Sequence, residues 1–218
     1  MNLRSNLDSS LKELHQVLLA MGKRVEKAIH ECIATLQSQD LEMARHIVSD
    51  DQELNKLEEQ VLELGAKIIA TQQPIGKDMR RIIIAFRIAS DLERMGDLAV
   101  DIAKVTLRIG DQELIKPLID IPRLGEMCQQ MAVESMQSYI DENVDLAYKM
   151  SKMDDEVDHL YSQVLHDLFA YMIENPKNIT QAMLLSFVGR YLERMADHAT
   201  NIGESVVYLV QGKRPDLN

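Results

Sequence analysis

Apolar side chains recur along this chain in alternating steps of four and three. Leu7, Leu11, Leu14, Leu18, Met21, Val25, Ala28, Cys32 and Leu36 make the first such seam. At about 3.6 residues per turn this spacing holds side chains on one helical face, so a long bundle helix is predicted. Asp40 offers an N-cap for a second helix, whose seam runs through Ile47, Leu54, Leu57, Val61, Leu64 and Ile68. Gln73-Pro74-Ile75-Gly76 ends it. Asp78 can cap a third helix that runs to about Gly110, a residue type suited to the position after a helix C-terminus.

Two prolines and weak periodicity mark Asp111 to Pro122 as a linker, and beyond it the plan repeats. A fourth helix is predicted from about Arg123 to Ile140, with Leu124, Cys128, Met131 and Ser135 on one side. A fifth carries Ala147, Met150, Val157, Leu160, Val164, Leu168 and Tyr171 and stops at Asn175-Pro176. A sixth runs from Ile179 to Gln211, ended by Gly212. Short turns favour antiparallel neighbours. The expected fold is therefore all-α, with two tandem three-helix bundles, residues 1–112 and 113–218, stacked or side by side. A continuous six-helix bundle is the alternative.

The repetition is also visible residue by residue. Leu92-Glu93-Arg94-Met95-Gly96-Asp97-Leu98-Ala99-Val100-Asp101-Ile102 returns as Leu192-Glu193-Arg194-Met195-Ala196-Asp197-His198-Ala199-Thr200-Asn201-Ile202, with seven of the eleven positions identical. That is the mark of an internal duplication. Its apolar letters serve packing, but its acids need another explanation. Glu93, Asp97 and Asp101 stand four apart, within a helical arc of roughly 80° and about 6 Å apart along the axis. Glu193, Asp197 and Asn201 repeat the ladder with an amide oxygen last.

A second pair of acids interrupts the apolar seams. Asp51 falls between Ile47 and Leu54, and Asp154 between Met150 and Val157; Asn55 and Asp158 follow four residues on. If the helices are antiparallel neighbours, each half brings a seam-breaking acid towards a carboxylate ladder. An all-oxygen set of this kind suits hard or borderline cations such as Mg, Mn or iron. The competing structural reading is a solvated charged face in which Arg87, Arg94, Lys104 and Arg194 pair with the acids.

Composition narrows the functional classes. Aromatic residues make up 4% with no Trp, and the five prolines fall between or beyond the apolar seams, both suited to helices. A formal charge of −11 argues against nucleic acid, which requires a basic face. Cys32 and Cys128 lack metal-ligand or CxxC spacing and fit buried thiols in a reducing cytosol. The longest apolar run, Ile82 to Phe86, is too short to cross a bilayer, so a cytoplasmic protein, peripheral to a membrane at most, is expected. Glu156-Val157-Asp158-His159 spells the E-x-x-H of di-iron bundles, which need it twice; here it occurs once. No phosphate-binding loop, nucleophile elbow or dinucleotide fingerprint is present.

The double helical repeat, Gln73-Pro74 before Asp78-Met79-Arg80, Glu93-Arg94-Met95-Gly96-Asp97 and Glu193-Arg194-Met195-Ala196-Asp197-His198-Ala199-Thr200-Asn201-Ile202 together resemble the PhoU family, over nearly the whole chain. Ala196 stands where that family usually has Gly, and Asn55 where an acid would complete a pair. The resemblance implies a cytoplasmic, often dimeric protein with multinuclear metal sites on its bundles. It also implies a negative regulator that links a phosphate ABC transporter ATPase to a membrane sensor histidine kinase. A non-enzymatic role follows, since no nucleophile or general base is evident. The rival readings are a metal-dependent hydrolase or oxidase and a metal-free helical adaptor.

Overall fold

A computed structural model describes residues 3–49, 52–213 and 215–217. The described elements are α1 (Leu3–Ser38), α2 (Leu41–Ser49), α3 (Gln52–Gln72), α4 (Lys77–Ile109), α5 (Asp120–Ile140), α6 (Val144–Glu174), a short 3₁₀ turn (Pro176–Asn178) and α7 (Ile179–Gln211). No strand occurs among them, so the all-α expectation holds. Two helices, α2 and α3, stand where the periodicity suggests one, and Asp51 lies outside the described residues.

Local chemistry accounts for most of the boundaries. Asp40 caps α2 as expected, its Oδ1 accepting from the N–H groups of Glu42 (3.1 Å) and Met43 (2.9 Å). Asn143 caps α6 in the same way through Leu146 N–H at 3.1 Å. Gly212 ends α7 at φ 71°, a left-handed backbone that glycine adopts without a side-chain penalty. Asp78 departs from its expected role. The α4 cap is Gly76, which supplies no side-chain oxygen, and Asp78 sits inside the first turn, where it pairs with Arg4 (2.6 Å) and Arg81 (3.1 Å). A carboxylate there still meets the positive end of the helix dipole.

The predicted seams are the buried faces. Leu14, Leu18, Met21, Val25, Cys32 and Leu36 of α1 are buried, as are Ala147, Met150, Val157, Leu160, Val164 and Leu168 of α6. α1 to α4 form one bundle and α5 to α7 the other, packed side by side around a shared hydrophobic core. Their seam consists of α4 against α7 and α1 against α5. The α4–α7 pair is antiparallel: Arg80 Nε donates to Leu209 O at 3.4 Å, while Asp91 Oδ1 meets His198 Nδ1 at 2.9 Å. That register sets the two Leu-Glu-Arg-Met stretches level with each other, so an approximate two-fold axis crosses the molecule at the repeated motif. α1 and α5 also run antiparallel, with Gly22 against Met136 and Gly125 against Ile33.

Side-chain amides hold the connections in place. Gln181 of α7 accepts from Ile115 N–H at 2.6 Å and donates to Glu113 O at 3.1 Å. Gln39 donates to Gly110 O (3.1 Å) and Gln112 O (2.7 Å). The linker is thus satisfied from both bundles.

Candidate metal centre

In the second bundle α6 and α7 bring four acids together. Asp154 breaks the α6 seam and, at 8% exposure, is buried with it. Antiparallel packing of Ala147 and Met150 against Gly203, and of Tyr161 and Val164 against Gly189, sets Asp154 and Asp158 beside the ladder of Glu193 and Asp197. Their mutual influence is electrostatic. Burial, then the charges of Asp197, Asp158, Glu193 and Asp155, push the Asp154 carboxyl up to about 7. Burial and the neighbouring charge of Asp197 raise Glu193, and burial and Asp158 raise Asp197. Asn201 follows on α7, half-buried.

The first bundle is arranged differently. Glu93 is buried, at 8% exposure, while Asp97 and Asp101 are partly exposed. Arg94 reaches Asp97 at 3.0 Å and Glu93 at 3.5 Å, and Lys104 reaches Asp101 at 2.8 Å. Here the cations of the helix itself satisfy the ladder, as the solvated-face reading anticipates. Asn55 is exposed on α3, and Asp51, its expected companion, is not among the described residues.

The second bundle supplies oxygen donors of the type a hard cation takes. Asp154 is buried and, among the described residues, neither hydrogen-bonded nor ion-paired. Glu193 pairs through Oε1 with Arg190, while its Oε2 is buried without a hydrogen-bond partner. Orphaned buried carboxylate oxygens are costly unless a cation or donor meets them. The four acids cluster as charges, and they do not form a closed cage: among the described residues no three His, Cys, Asp or Glu side chains already stand as a ligand group. Arg190 meanwhile holds one oxygen of Glu193.

Sequence reasoning missed Asp91 and its bond to His198. Asp91 and His198 join the bundles beside both ladders, with side-chain exposures of 17% and 19%. The signal for such a pair is the α4–α7 register, which periodicity does not encode. His198 is accordingly packed against a polar partner. The single E-x-x-H leaves His159 exposed on α6, within 2.9 Å of Gln163 Nε2. Cys32 and Cys128 are buried free thiols, raised by burial.

The family model of the PhoU domain matches twice, over residues 18–106 and 121–206. The chain belongs to the PhoU family. Among its relatives is the phosphate-specific transport system accessory protein PhoU homolog of Clostridium acetobutylicum, 38% identical over 99% of both chains. The homolog of Aquifex aeolicus is 37% identical over 95% of this chain and 94% of its own. The crystal structure of PhoU from Pseudomonas aeruginosa superposes with a TM-score of 0.90 at 32% identity, covering 94% of this chain and 99% of that one. That of the phosphate transport system regulatory protein PhoU from Streptococcus pneumoniae gives 0.90 at 27% identity, over 96% and 99%. The family's double helical repeat is thus the fold seen here. No described helix is long and apolar enough to cross a membrane.

Proposed function

We propose that this protein is a non-enzymatic regulator of phosphate uptake and phosphate-starvation signalling. In this reading it restrains a phosphate ABC transporter through its ATPase and restrains a membrane sensor histidine kinase, working as a cytoplasmic homodimer. The observation that carries the reading is family membership over both halves of the chain. The carboxylates add its chemistry. Asp154, Asp158, Glu193, Asp197 and Asn201 would hold oxygen-ligated iron, Mn or Mg on the second bundle, and Glu93, Asp97, Asp101, Asn55 and Asp51 on the first.

A bound cation would supply positive charge where carboxylates now repel, fixing the α6–α7 and α3–α4 pairs against each other. The chain's own residues do the remaining work. Asp154 anchors the cluster from inside the seam, Arg190 holds Glu193 in place, and Asp91 with His198 ties the ladder helices of the two bundles together. Long rigid helices then present extended faces to partners.

Affinity capture with the tagged protein from phosphate-replete cells tests the reading. Recovery of the transporter ATPase and a sensor kinase is expected, together with derepressed phosphate uptake on deletion of the gene. Deletion that leaves uptake and phosphate-responsive transcription unchanged defeats it. Elemental analysis of purified protein, compared with Asp97→Ala plus Asp197→Ala, tests the ligand assignment. Equal metal content in the two defeats that part alone.

A further inference from the structure

We infer that a cleft at one end of the seam between the bundles binds a small oxyanion, a carboxylate or a phosphate ester, that carries an apolar body.

The cleft has a volume of about 310 Å³, at the lower end of the roughly 300–1,000 Å³ of small-molecule sites. Both bundles build it: α1 and α4 from the first, α5 with its following turn and α7 from the second. Leu11, Leu14, Ile140 and Leu209 give it apolar walls. Its α1 wall is a part of the chain that the duplication does not repeat. The two PhoU matches begin at residues 18 and 121, and α5 starts at Asp120 where α1 starts at Leu3. The α1 residues on the cleft, from Asp8 to His15, therefore precede the repeat and have no mate in the second half.

The polar groups on the cleft have unmet capacity to donate. His15 and Tyr139 meet ring to ring, their centroids 5.1 Å apart. Tyr139 is 7% exposed, and its hydroxyl has no hydrogen-bond partner among the described residues, although a buried phenol normally finds one. Burial pushes that phenol up to about 12 and lowers His15. Near neutral pH both are thus uncharged, each with a proton to donate.

The charges around the cleft leave one cation over. Arg4 pairs with Asp8 (3.0 Å) and Asp78 (2.6 Å), Arg81 with Asp78 (3.1 Å) and Glu142 (3.0 Å), and Lys77 with Glu142. Three cations meet three acids in that chain of contacts. Lys12 also lines the cleft and, among the described residues, joins no ion pair. Ammonium, phenol and imidazole N–H together call for an acceptor that carries negative charge. The leucine and isoleucine walls call for hydrocarbon attached to it.

Isothermal titration calorimetry of the full-length chain tests this with octanoate and with phenyl phosphate, octanamide serving as the uncharged control. At least one of the two anions should bind with a Kd below about 1 mM, and octanamide about tenfold more weakly or worse. Whichever anion binds more tightly identifies the head group as carboxylate or phosphate ester. Lys12→Ala should weaken binding by about tenfold or more, the scale of a hydrogen bond to a charged group. Tyr139→Phe should weaken it by about threefold to tenfold and leave Tm unchanged, since the hydroxyl has no partner to lose. Lys23→Ala, exposed on α1 away from the cleft, should alter nothing. Failure of both anions to bind, octanamide binding as tightly as the anions, or an affinity unchanged in Lys12→Ala or in Tyr139→Phe overturns the inference.

Discussion

Replacing Asp154 by Asn should stabilise the metal-free protein, although it removes a proposed ligand. The folded chain holds this carboxyl at about 7 against an ordinary 3.8, through burial and through the charges of Asp197, Asp158, Glu193 and Asp155. A raised acid binds its proton more tightly folded than unfolded. Its contribution to stability is therefore whole below about pH 4 and drains away as pH rises towards 7. At about 1.4 kcal/mol per decade, a rise of some three decades sets an upper bound of about 4 kcal/mol on the cost of the ionised form at neutral pH. Screening at the rim of the cluster reduces this to about 1–3 kcal/mol. For a chain of this size about 2 kcal/mol corresponds to roughly 4–8 °C in Tm. Circular dichroism melts of chelated wild type and Asp154→Asn at about pH 8 and about pH 4 supply the measurement. The variant should melt higher at the alkaline pH, with the difference shrinking at the acid one. Saturating Mn²⁺ should then raise Tm more in the wild type than in the variant. A variant that is no more stable than wild type at the alkaline pH would refute the idea that Asp154 is a buried, uncompensated charge.

Other perturbations probe the frame around the site. Gly96→Ala drives a methyl into Leu54 and should cost about 1–3 kcal/mol by overpacking; adding Leu54→Val should restore most of it, checked by a double-mutant cycle in urea. Gln181→Ala strips Ile115 N–H and Glu113 O of their partner, with an expected loss of about 1–3 kcal/mol and faster amide exchange at Ile115. Glu142→Gln weakens the links to Lys77 and Arg81, which are partly exposed, so at most about 1 kcal/mol should be lost, and less at high salt. Both cysteines are buried and their thiols raised by burial, so a thiol reagent should label them only as fast as the protein unfolds.

Seams and several caps were legible because each depends on near neighbours, whereas the periodicity ran α2 and α3 together as one helix. The steps of four and three name the buried face of α1 and α6, and Asp40 caps α2 from its own side chain. The burial of Asp154 was legible too, since an acid inside an apolar seam is carried into the core with it. Asp78 was misjudged as a cap because its carboxylate had a better use, joining Arg4 and Arg81 across 74 and 3 residues of sequence. The Asp91–His198 bond depends on the register of two helices 107 residues apart, which no local pattern records. The cation-paired first ladder lay between these cases. Arg94 and Lys104 were visible as candidate partners, but whether they meet the acids is a matter of rotamers.

The level, antiparallel setting of the two repeated motifs on α4 and α7 has a consequence for heredity. A homodimer of one bundle would carry every substitution twice, so its two ladders could never differ. Joining the halves in one polypeptide lets Lys104 in one repeat correspond to Glu204 in the other, Asn55 to Asp158 and Gly96 to Ala196. Repair also becomes a two-residue affair. The repeat aligns Leu54, which packs on Gly96, with Val157, and Gly96 with Ala196, so the larger side chain goes with Gly in one repeat and the smaller with Ala in the other. Exchanging either position alone between the halves would leave a collision in one bundle and a gap in the other. The halves can trade places only as matched pairs, and copying errors that would homogenise them one residue at a time meet resistance from packing.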